Sequence, residues 1–222
     1  MKSVFVTGTD TGVGKTQVSC ALMRQLIAEG YRVVGMKPVA SGAYFVDGKL
    51  VNDDALHLMA TANVDVPYEW INPYCFEAAI APHIAALQAG IPISLEIICS
   101  AYQQLATVAD VVVVEGVGGW AVPINATQTM ADVAAILNLP VIMVVGMRLG
   151  CLNHALLTAQ SILARPARLV GWVANTLDPM MPALIENIDT LKAKISSVLI
   201  GVMPYVSSTS PAVDINFDMS FL

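Results

Sequence analysis

Short apolar runs alternate along the chain with stretches in which apolar residues recur at the spacing of a helix face. Most of the runs are rich in Val and Ile and lack the polar alternation of a half-exposed strand. Such runs are typical of strands covered on both faces. They predict strands over 4–6, 32–36, 111–115, 141–145, 169–173 and 198–202. The other stretches predict helices over about 15–29, 81–89, 94–107, 129–137, 151–164 and 181–194.

This alternation predicts an α/β fold: a doubly wound, mostly parallel sheet flanked by helices and joined by right-handed crossovers. No repeat, low-complexity tract or linker interrupts residues 1–222, so a single domain is expected. The tail over 207–222 is expected to lie on the surface as irregular chain. Ligands bind such sheets at the carboxyl ends of the strands, so the residues just after each strand are the candidates for a site.

The composition narrows the class of protein. Apolar residues make up 56% of the chain and charged residues 13%, yet no stretch reaches the roughly 18 apolar residues of a membrane span. We therefore expect no membrane segment, but a buried sheet and an apolar subunit interface. The N-terminal apolar stretch is too short for a secretion signal, and the four cysteines lack CxxC spacing, which favours reduced, buried thiols in the cytoplasm. The net charge of −6 argues against nucleic acid as a partner.

The first candidate for chemistry is the glycine-rich segment that follows the first predicted strand, Gly8-Thr9-Asp10-Thr11-Gly12-Val13-Gly14-Lys15-Thr16. A glycine-rich turn between a strand and a helix points backbone N–H groups at an anion, and the helix adds its positive end. The segment predicts a phosphate-binding loop in which Lys15 reaches the β- and γ-phosphates and the Thr16 hydroxyl coordinates Mg²⁺. Its first glycine, Gly8, stands one place earlier than the usual pattern requires.

Charged residues follow two further strands. Lys37 ends the second predicted strand, and it is either a surface lysine at a turn or, with Lys15, a second cation for an anionic group beyond the phosphates. Glu115 follows four valines and is predicted to hold Mg²⁺ directly or through water. Asp54 is the preferred further ligand, because Mg²⁺ favours hard oxygen donors, although either Asp53 or Asp54 would also serve as a helix N-cap.

Three weaker candidates lie after the remaining strands. Residues 150–153 begin a helix whose free N–H groups would hold a carboxylate, or they are an ordinary helix start. Asn175, followed by Thr176, would read an adenine edge or cap its loop. Residues 204–206 follow the last strand, again at the expected crevice.

Taken together and in this order, the motifs resemble those of the dethiobiotin synthetases of biotin biosynthesis. The resemblance covers nearly the whole chain and rests on GTDTGVGKT at 8–16, KPVASG at 37–42, NDDA at 52–55, NPY at 72–74, APH at 81–83, VEGVGGW at 114–120, LPVIMVVG at 139–146, LGCLNHALLTAQ at 149–160 and GWVAN at 171–175. It implies a fold like that of the P-loop NTP hydrolases. It also implies an ATP- and Mg²⁺-dependent cyclo-ligase that converts 7,8-diaminopelargonate and CO₂ to dethiobiotin through a carbamate and a carbamic–phosphoric anhydride, releasing ADP and phosphate.

The resemblance also implies roles for residues. Lys37 and Lys15 would stabilise the carbamate and the transferring phosphoryl group, Thr11 and Ser41 would orient the substrate, and Thr16, Asp54 and Glu115 would hold Mg²⁺. Nucleotide contacts are implied at Gly12, Val13, Gly14, Lys15, Thr16, Gln17, Asp54, Glu115, Gly116, Val117, Gly118, Asn175, Thr176, Pro204, Tyr205 and Val206. The substrate would contact Thr11, Lys37 and Ser41 of one subunit and Gly150, Cys151 and Asn153 of the other, so a homodimer with a shared site is expected.

The chain departs from the family pattern at two places, and two rival functions are to be weighed against the resemblance. Position 12 is Gly where the family often carries Glu, and no acidic residue stands near Pro211 before Asp214, so ribose recognition and the preference among ATP, CTP and GTP stay open. Amidating synthases of corrinoid side chains carry a glutaminase domain for which 222 residues leave no room. ATPase switches of the partitioning or septum-positioning type carry a lysine at the place of Asp10, so the aspartate argues against that function.

Overall fold

A computed structural model describes residues 2–206 and 215–220 of the chain. The predictions for the tail over 207–214, including Pro211 and Asp214, and over 221–222 lie outside the described residues. Residues 215–220 are irregular chain as predicted, but Phe217 is buried, so the expectation that this part lies on the surface is wrong there. The strands are β1 (Val4–Gly8), β2 (Val33–Met36), β3 (Val39–Ser41), β4 (Tyr44–Val46), β5 (Lys49–Val51), β6 (Tyr74–Phe76), β7 (Val111–Glu115), β8 (Val141–Met147), β9 (Leu169–Thr176) and β10 (Val198–Met203). The helices are α1 (Lys15–Ala28), α2 (Asp53–Thr61), α3 (Tyr68–Ile71), α4 (Pro82–Ala89), α5 (Leu95–Val108), α6 (Met130–Leu137), α7 (Cys151–Leu163) and α8 (Leu184–Lys194).

The fold class predicted from the sequence is confirmed. Six strands form one sheet in the order β10-β9-β8-β1-β7-β2, and every neighbouring pair in it is parallel. These are the six predicted strands, with bounds that agree to within a few residues. Because β1 lies inside the sheet, between β8 and β7, the glycine-rich loop that follows it lies at the middle of the carboxyl edge.

The core lies in two layers, one on each face of the sheet. Alternate residues of β1 enter different layers, with Phe5 in one and its neighbours Val4 and Val6 in the other. Residues of α1 and Leu58 of α2 cover the layer around Val4 and Val6, while α5, α6, α7 and α8 contribute to the layer around Phe5. The Val-rich strands are therefore buried on both faces, as their lack of polar alternation predicts.

The edge strand β10 departs from this pattern. Its Val198 and Val202 are exposed while Ile200 and Met203 are buried, whereas β2, at the opposite edge of the sheet, is buried throughout. The short strands β3–β6 were not predicted: three-residue strands give too little periodicity to read from a sequence. β3 pairs with β6 in parallel, and β4 and β5 form an antiparallel hairpin.

The structure also bears on the cysteines and on the length of the helices. All four cysteines are free thiols, but only Cys20 and Cys151 are buried, whereas Cys75 and Cys99 are partly exposed. Over the described residues, the helices are too short or too polar to cross a lipid bilayer.

Candidate active site

The glycine-rich loop connects the end of β1 to the start of α1. Gly12 and Gly14 adopt φ values of 71° and 85°, a left-handed conformation that glycine reaches without strain. At Gly14 a side chain would also run into the amide of Asn175, so this position has room only for glycine. The Asn175 amide donates to the Val13 carbonyl at 2.8 Å and thereby fixes the loop against the end of β9.

The loop forms one wall of a crevice of about 830 Å³ at the carboxyl edge of the sheet. This volume lies within the range of small-molecule sites. The predicted residues that line it are Thr11, Gly12, Gly14, Lys15, Thr16, Gln17, Lys37, Ser41, Asp54, Glu115, Val117, Gly118, Thr176, Tyr205 and Val206. Residues from six separate regions of the chain are thus brought together around one cavity.

Lys37 lies at the centre of the charged groups. Its ammonium donates to the Asp54 carboxylate and to Glu115 Oε1, each at 2.6 Å. The Thr16 hydroxyl donates to the same Glu115 oxygen at 2.9 Å. The three predicted metal ligands and Lys37 therefore form a single cluster, and the alternative of a surface lysine at a turn is wrong, since the Lys37 side chain is only 3% exposed.

The electrostatics of the two lysines differ. Burial alone would lower the pKa of Lys37, but the carboxylates of Glu115 and Asp54 outweigh burial and hold that pKa above its ordinary value. Burial, together with the nearby charge of Lys37, lowers the pKa of Lys15 to about 8. The Lys15 ammonium donates to a neutral acceptor, the Asp10 carbonyl, at 3.1 Å. A bound anion at the loop would therefore stabilise the charged form of Lys15.

Asp54 is the more accessible of the two carboxylates. Burial would raise its pKa, but the charge of Lys37 and the hydrogen bonds from Lys37 and Thr16 outweigh it, so the pKa lies below its usual value. Asn52, rather than either aspartate, is the N-cap of α2, because its side chain accepts from the Asp54 N–H at 3.1 Å. The carboxylate of Asp54 is thus free of the capping role that the sequence left open.

The donor set of the cluster fits a magnesium ion. Glu115 Oε2 is buried without a hydrogen-bond partner in the structure, so one carboxylate lone-pair site remains to be satisfied. Two carboxylates and a hydroxyl supply the hard oxygens that Mg²⁺ prefers. In the described part of the chain, no group of three or more His, Cys, Asp or Glu side chains offers a competing metal site.

Several predicted nucleotide residues do not line the crevice. Val13 is buried beneath the loop, Gly116 packs against Phe5, and Pro204 lies beside the lining residues Tyr205 and Val206. Asn175 is also buried, and its amide nitrogen is already used by the loop, while its Oδ1 has no partner in the structure. Its contact with adenine therefore stays a prediction. Such a contact would require the buried amide to become accessible.

The start of α7 lies outside this crevice. Gly150, Cys151 and Asn153 are not among its lining residues. The Cys151 N–H donates to the Arg148 carbonyl at 3.0 Å. This N–H group is therefore not free to bind a carboxylate in the way that the sequence predicted. Arg148 forms an ion pair with Asp10 of the glycine-rich loop, which anchors the start of α7 to the loop, and the intervening Leu149 is fully exposed.

The crevice also contains residues that sequence reasoning missed. Seven apolar residues, here called the apolar wall, also line it: Ala79, Ile80, Ala81, Pro82, Val122, Pro123 and Leu177. The APH motif at 81–83 marks part of this wall. The other residues lie in loops, and they belong to no charged or glycine-rich motif. Nothing in the sequence therefore distinguishes them from ordinary loop residues.

Similar solved structures agree with this fold. The MinD cell division protein of Aquifex aeolicus superposes with a TM-score of 0.58 at 13% identity, covering 93% of this chain and 83% of that one. A ParA family ATPase from Chlorobium tepidum has a TM-score of 0.56 at 12% identity, covering 93% of this chain and 86% of the other. At such low identity these similarities show the fold alone, that of the P-loop NTPases.

Sequence relatives are much more similar. The ATP-dependent dethiobiotin synthetase BioD of Xylella fastidiosa strain 9a5c is 49% identical over 93% of this chain and 91% of that protein. The enzyme of the same name from Aromatoleum aromaticum is 47% identical over 94% of this chain and 92% of its own length. A family described as an AAA domain matches residues 2–213. The chain belongs to the family of the ATP-dependent dethiobiotin synthetases.

Proposed function

We propose that this protein converts 7,8-diaminopelargonate and CO₂ to dethiobiotin at the expense of ATP. The observation that carries the proposal is the convergence of two lysines, two carboxylates and a threonine hydroxyl in one crevice at the end of a phosphate-binding loop. A nucleotide site alone needs one loop lysine, whereas a second buried lysine suits an additional anion such as a carbamate. Family membership supports the same product and the same dependence on ATP.

The proposed reaction has three steps. One amine of the substrate attacks CO₂ and loses a proton, which gives a carbamate. A carbamate oxygen then attacks the γ-phosphorus of ATP, and ADP leaves. The second amine attacks the carbonyl carbon of the resulting carbamic–phosphoric anhydride, which closes the ureido ring and expels phosphate. Each step places negative charge near the phosphate loop, and stabilising that charge is how proteins accelerate phosphoryl transfer.

Different residues of the crevice are suited to binding the phosphates, stabilising the carbamate, orienting the substrate and excluding water. The N–H groups over 12–17 would hold the phosphates, with Lys15 at the β- and γ-phosphates. Lys37 would stabilise the carbamate, and Thr11 and Ser41 would orient the diamine. The buried Ser41 hydroxyl has no hydrogen-bond partner in the structure, so it is available to a ligand. The apolar wall around Ile80 and Pro82 would exclude water from the reactive anhydride.

Thr16, Asp54 and Glu115 would hold Mg²⁺. When bound, the ion neutralises charge on the phosphates of the nucleotide. In the structure Lys37 already lies between Asp54 and Glu115. We propose that its ammonium provides the positive charge that these carboxylates need and is released towards the substrate when they find another cation.

The overall activity is tested by incubating the protein with 7,8-diaminopelargonate, bicarbonate and MgATP. We expect dethiobiotin and phosphate to appear in equal amounts, and only when all components are present. Phosphate release without dethiobiotin would indicate a simple ATPase and would contradict the proposal. Replacing ATP by CTP or GTP in the same assay determines the nucleotide preference, which the chain leaves open at Gly12.

The role of Lys37 is tested with a pair of lysine variants. Lys37→Ala is expected to lose turnover by about a hundredfold or more while ADP binding survives, because its proposed role is in the transition state. Lys192→Ala is the matched control, since Lys192 is an exposed lysine whose partner is Asp189 on the same helix. Near-normal turnover of Lys37→Ala would remove this lysine from the mechanism.

We also propose a cytoplasmic homodimer in which the start of α7 completes the partner's site. Support comes from the full exposure of Leu149 and from the position of Gly150, Cys151 and Asn153 outside their own subunit's crevice. Asn153→Asp would then place a negative charge beside the substrate carboxylate. We expect the KM for the diamine to rise with little change in the KM for ATP, and an unchanged diamine KM would argue against this site.

A further inference from the structure

We infer that Tyr68 and Asn72 are positioning residues that hold Lys37, Ser41 and Asp54 in one arrangement. The inference rests on the proposed function for what Lys37 does, but the hydrogen bonds that carry it stand in the structure. Neither residue lines the crevice. Asn72 belongs to the NPY motif at 72–74, to which the proposed reaction gives no role.

Asn72 fixes the backbone at Lys37. Its side chain is buried, and its amide group donates to the Lys37 carbonyl at 2.7 Å and to the Tyr74 carbonyl at 3.0 Å. The Lys37 N–H in turn donates to the Ile71 carbonyl at 2.7 Å. Both backbone groups of Lys37, its N–H and its carbonyl, are therefore hydrogen-bonded, which fixes the backbone that carries the reactive ammonium.

Tyr68 extends this support towards Asp54 and Ser41. Its hydroxyl donates to Asn72 Oδ1 at 3.0 Å and accepts from the Asn52 N–H at 2.9 Å. Asn52 caps α2 by accepting from the Asp54 N–H, and its amide donates to the Ser41 carbonyl at 3.4 Å. One chain of hydrogen bonds thus runs from Lys37 through Asn72, Tyr68 and Asn52 to the backbone of Asp54 and Ser41.

The geometry explains why such a chain is useful. Lys37 and Ser41 lie on one segment and Asp54 on another, and the backbone of Lys37 must keep its position relative to Asp54 and the phosphate loop while its ammonium turns towards the substrate. Buried polar groups that are mutually satisfied lock the backbone, whereas loss of one partner leaves an unsatisfied group that shifts to find water. A displacement of about 1 Å at a reacting group costs up to about a hundredfold in rate.

Tyr68→Phe tests the inference because it removes one hydroxyl and keeps the ring. Tyr74→Phe is the matched control, since the Tyr74 hydroxyl also accepts a backbone N–H, that of Ser94 at 2.9 Å, but has no hydrogen bond to the chain leading to Lys37. We expect Tyr68→Phe to lower kcat about tenfold with an unchanged Kd for ADP, and Tyr74→Phe to leave kcat unchanged at a similar loss of stability.

A second measurement does not depend on turnover. Trace labelling with acetic anhydride, read by mass spectrometry, reports how often each lysine amine is accessible. We expect Lys37 to be labelled about fivefold faster in Tyr68→Phe than in the wild type, which is the effect of one lost hydrogen bond on a local opening. Lys15 should be labelled at its wild-type rate in both tyrosine variants.

Asn72→Asp is the stronger variant, because it keeps the shape and the acceptor for Tyr68 but loses both donors to the carbonyls. We expect a fall in kcat of up to about a hundredfold. If it does not fold, Tyr68→Phe decides the matter. An unchanged labelling rate of Lys37 in Tyr68→Phe, or an equal loss of kcat in Tyr74→Phe, would overturn the inference. If the wild type makes no dethiobiotin, the proposed function fails, and labelling still tests the hydrogen-bond chain.

Discussion

Gly12 and Gly14 differ in what surrounds them, although both adopt a left-handed conformation in the same loop. A Cβ atom at Gly12 would meet nothing within 4 Å, whereas one at Gly14 would collide with the amide of Asn175. The requirement for glycine at position 12 is therefore conformational only. At position 14 it is both conformational and steric, because the end of β9 lies directly against the loop.

This difference predicts the effect of alanine at each position. Gly12→Ala should lower the free energy of unfolding by about 1 kcal/mol, the cost of a left-handed residue that has a side chain. Gly14→Ala should cost about 2–5 kcal/mol, because overpacking adds to that term, and it should also abolish ADP binding. Urea unfolding and ADP titration measure the two effects. Equal losses in both variants would show that Asn175 moves aside without cost.

Removing Lys37 should make the protein sensitive to metal ions. In Lys37→Ala the carboxylates of Asp54 and Glu115 lose their cation, so we expect the free energy of unfolding to fall by about 1–3 kcal/mol, given that Asp54 is partly exposed. Millimolar Mg²⁺ should then raise the Tm of the variant more than that of the wild type, because the ion no longer competes with an ammonium.

The control for this experiment is NaCl at matched ionic strength, which screens charge without binding as a divalent ion. A rise in Tm with NaCl equal to that with Mg²⁺ would contradict a specific metal site at Asp54 and Glu115. So would an equal response to Mg²⁺ in the wild type and the variant.

Among the elements, β10 depends on the C-terminal segment for its cover. Phe217 is 4% exposed and lies over Gly201, where a Cβ atom would approach the Phe217 ring to 2.6 Å. The backbone of Phe217 makes two hydrogen bonds with the side chain of Gln25, which ties the segment to α1. The Asp218 N–H donates to the Ile200 carbonyl at 2.9 Å, so the segment is held to both elements.

We therefore predict that Phe217→Ala costs about 3–5 kcal/mol of unfolding free energy, as for other buried phenylalanines. Phe45→Ala is the matched control, because Phe45 stands in the β4–β5 hairpin and is 62% exposed. Its effect on urea unfolding should stay within about 0.5 kcal/mol. Similar losses in the two variants would show that the segment adds little to the stability of the edge strand.

At the scale of the whole molecule, the fold does not distinguish this enzyme from other P-loop NTPases. MinD and ParA proteins share the arrangement of sheet and helices at 12–13% identity. The sequence does distinguish them, because relatives at 47–49% identity are dethiobiotin synthetases. In the structure, Asp10 forms an ion pair with Arg148, so the residue that argued against a switch also connects the loop to α7. Function thus follows from the residues of the site rather than from the fold.

The shared site of the proposed homodimer gives a prediction for mixed subunits. At a diamine concentration well below the raised KM of Asn153→Asp, Lys37→Ala and Asn153→Asp should each turn over slowly alone. After subunit exchange at equal concentrations, half of the dimers are mixed, and each contains one site with an intact Lys37 and an intact Asn153. Activity should therefore recover to about a quarter of the wild-type value. No recovery, with exchange verified by mass spectrometry, would show that each subunit completes its own site.

The sequence by itself determined the strands of the main sheet, the phosphate-binding loop and the family. These follow from local order: a strand, a glycine-rich turn and a helix are contiguous over 4–28, and Lys37 and Glu115 stand at the ends of apolar runs. Periodicity and turn chemistry act over a few residues, so they can be read without knowing the fold.

Only the tertiary structure decided how these pieces meet. Lys37 contacts Asp54 and Glu115, which are 17 and 78 residues away in the chain, because β1, β7 and β2 lie side by side and end at the same edge. It also decided that Asn52, not an aspartate, caps α2, and that the Asn72 side chain bonds both the Tyr68 hydroxyl and the Lys37 carbonyl. Contacts between distant residues depend on strand order and loop paths, for which no local pattern of residues gives a signal.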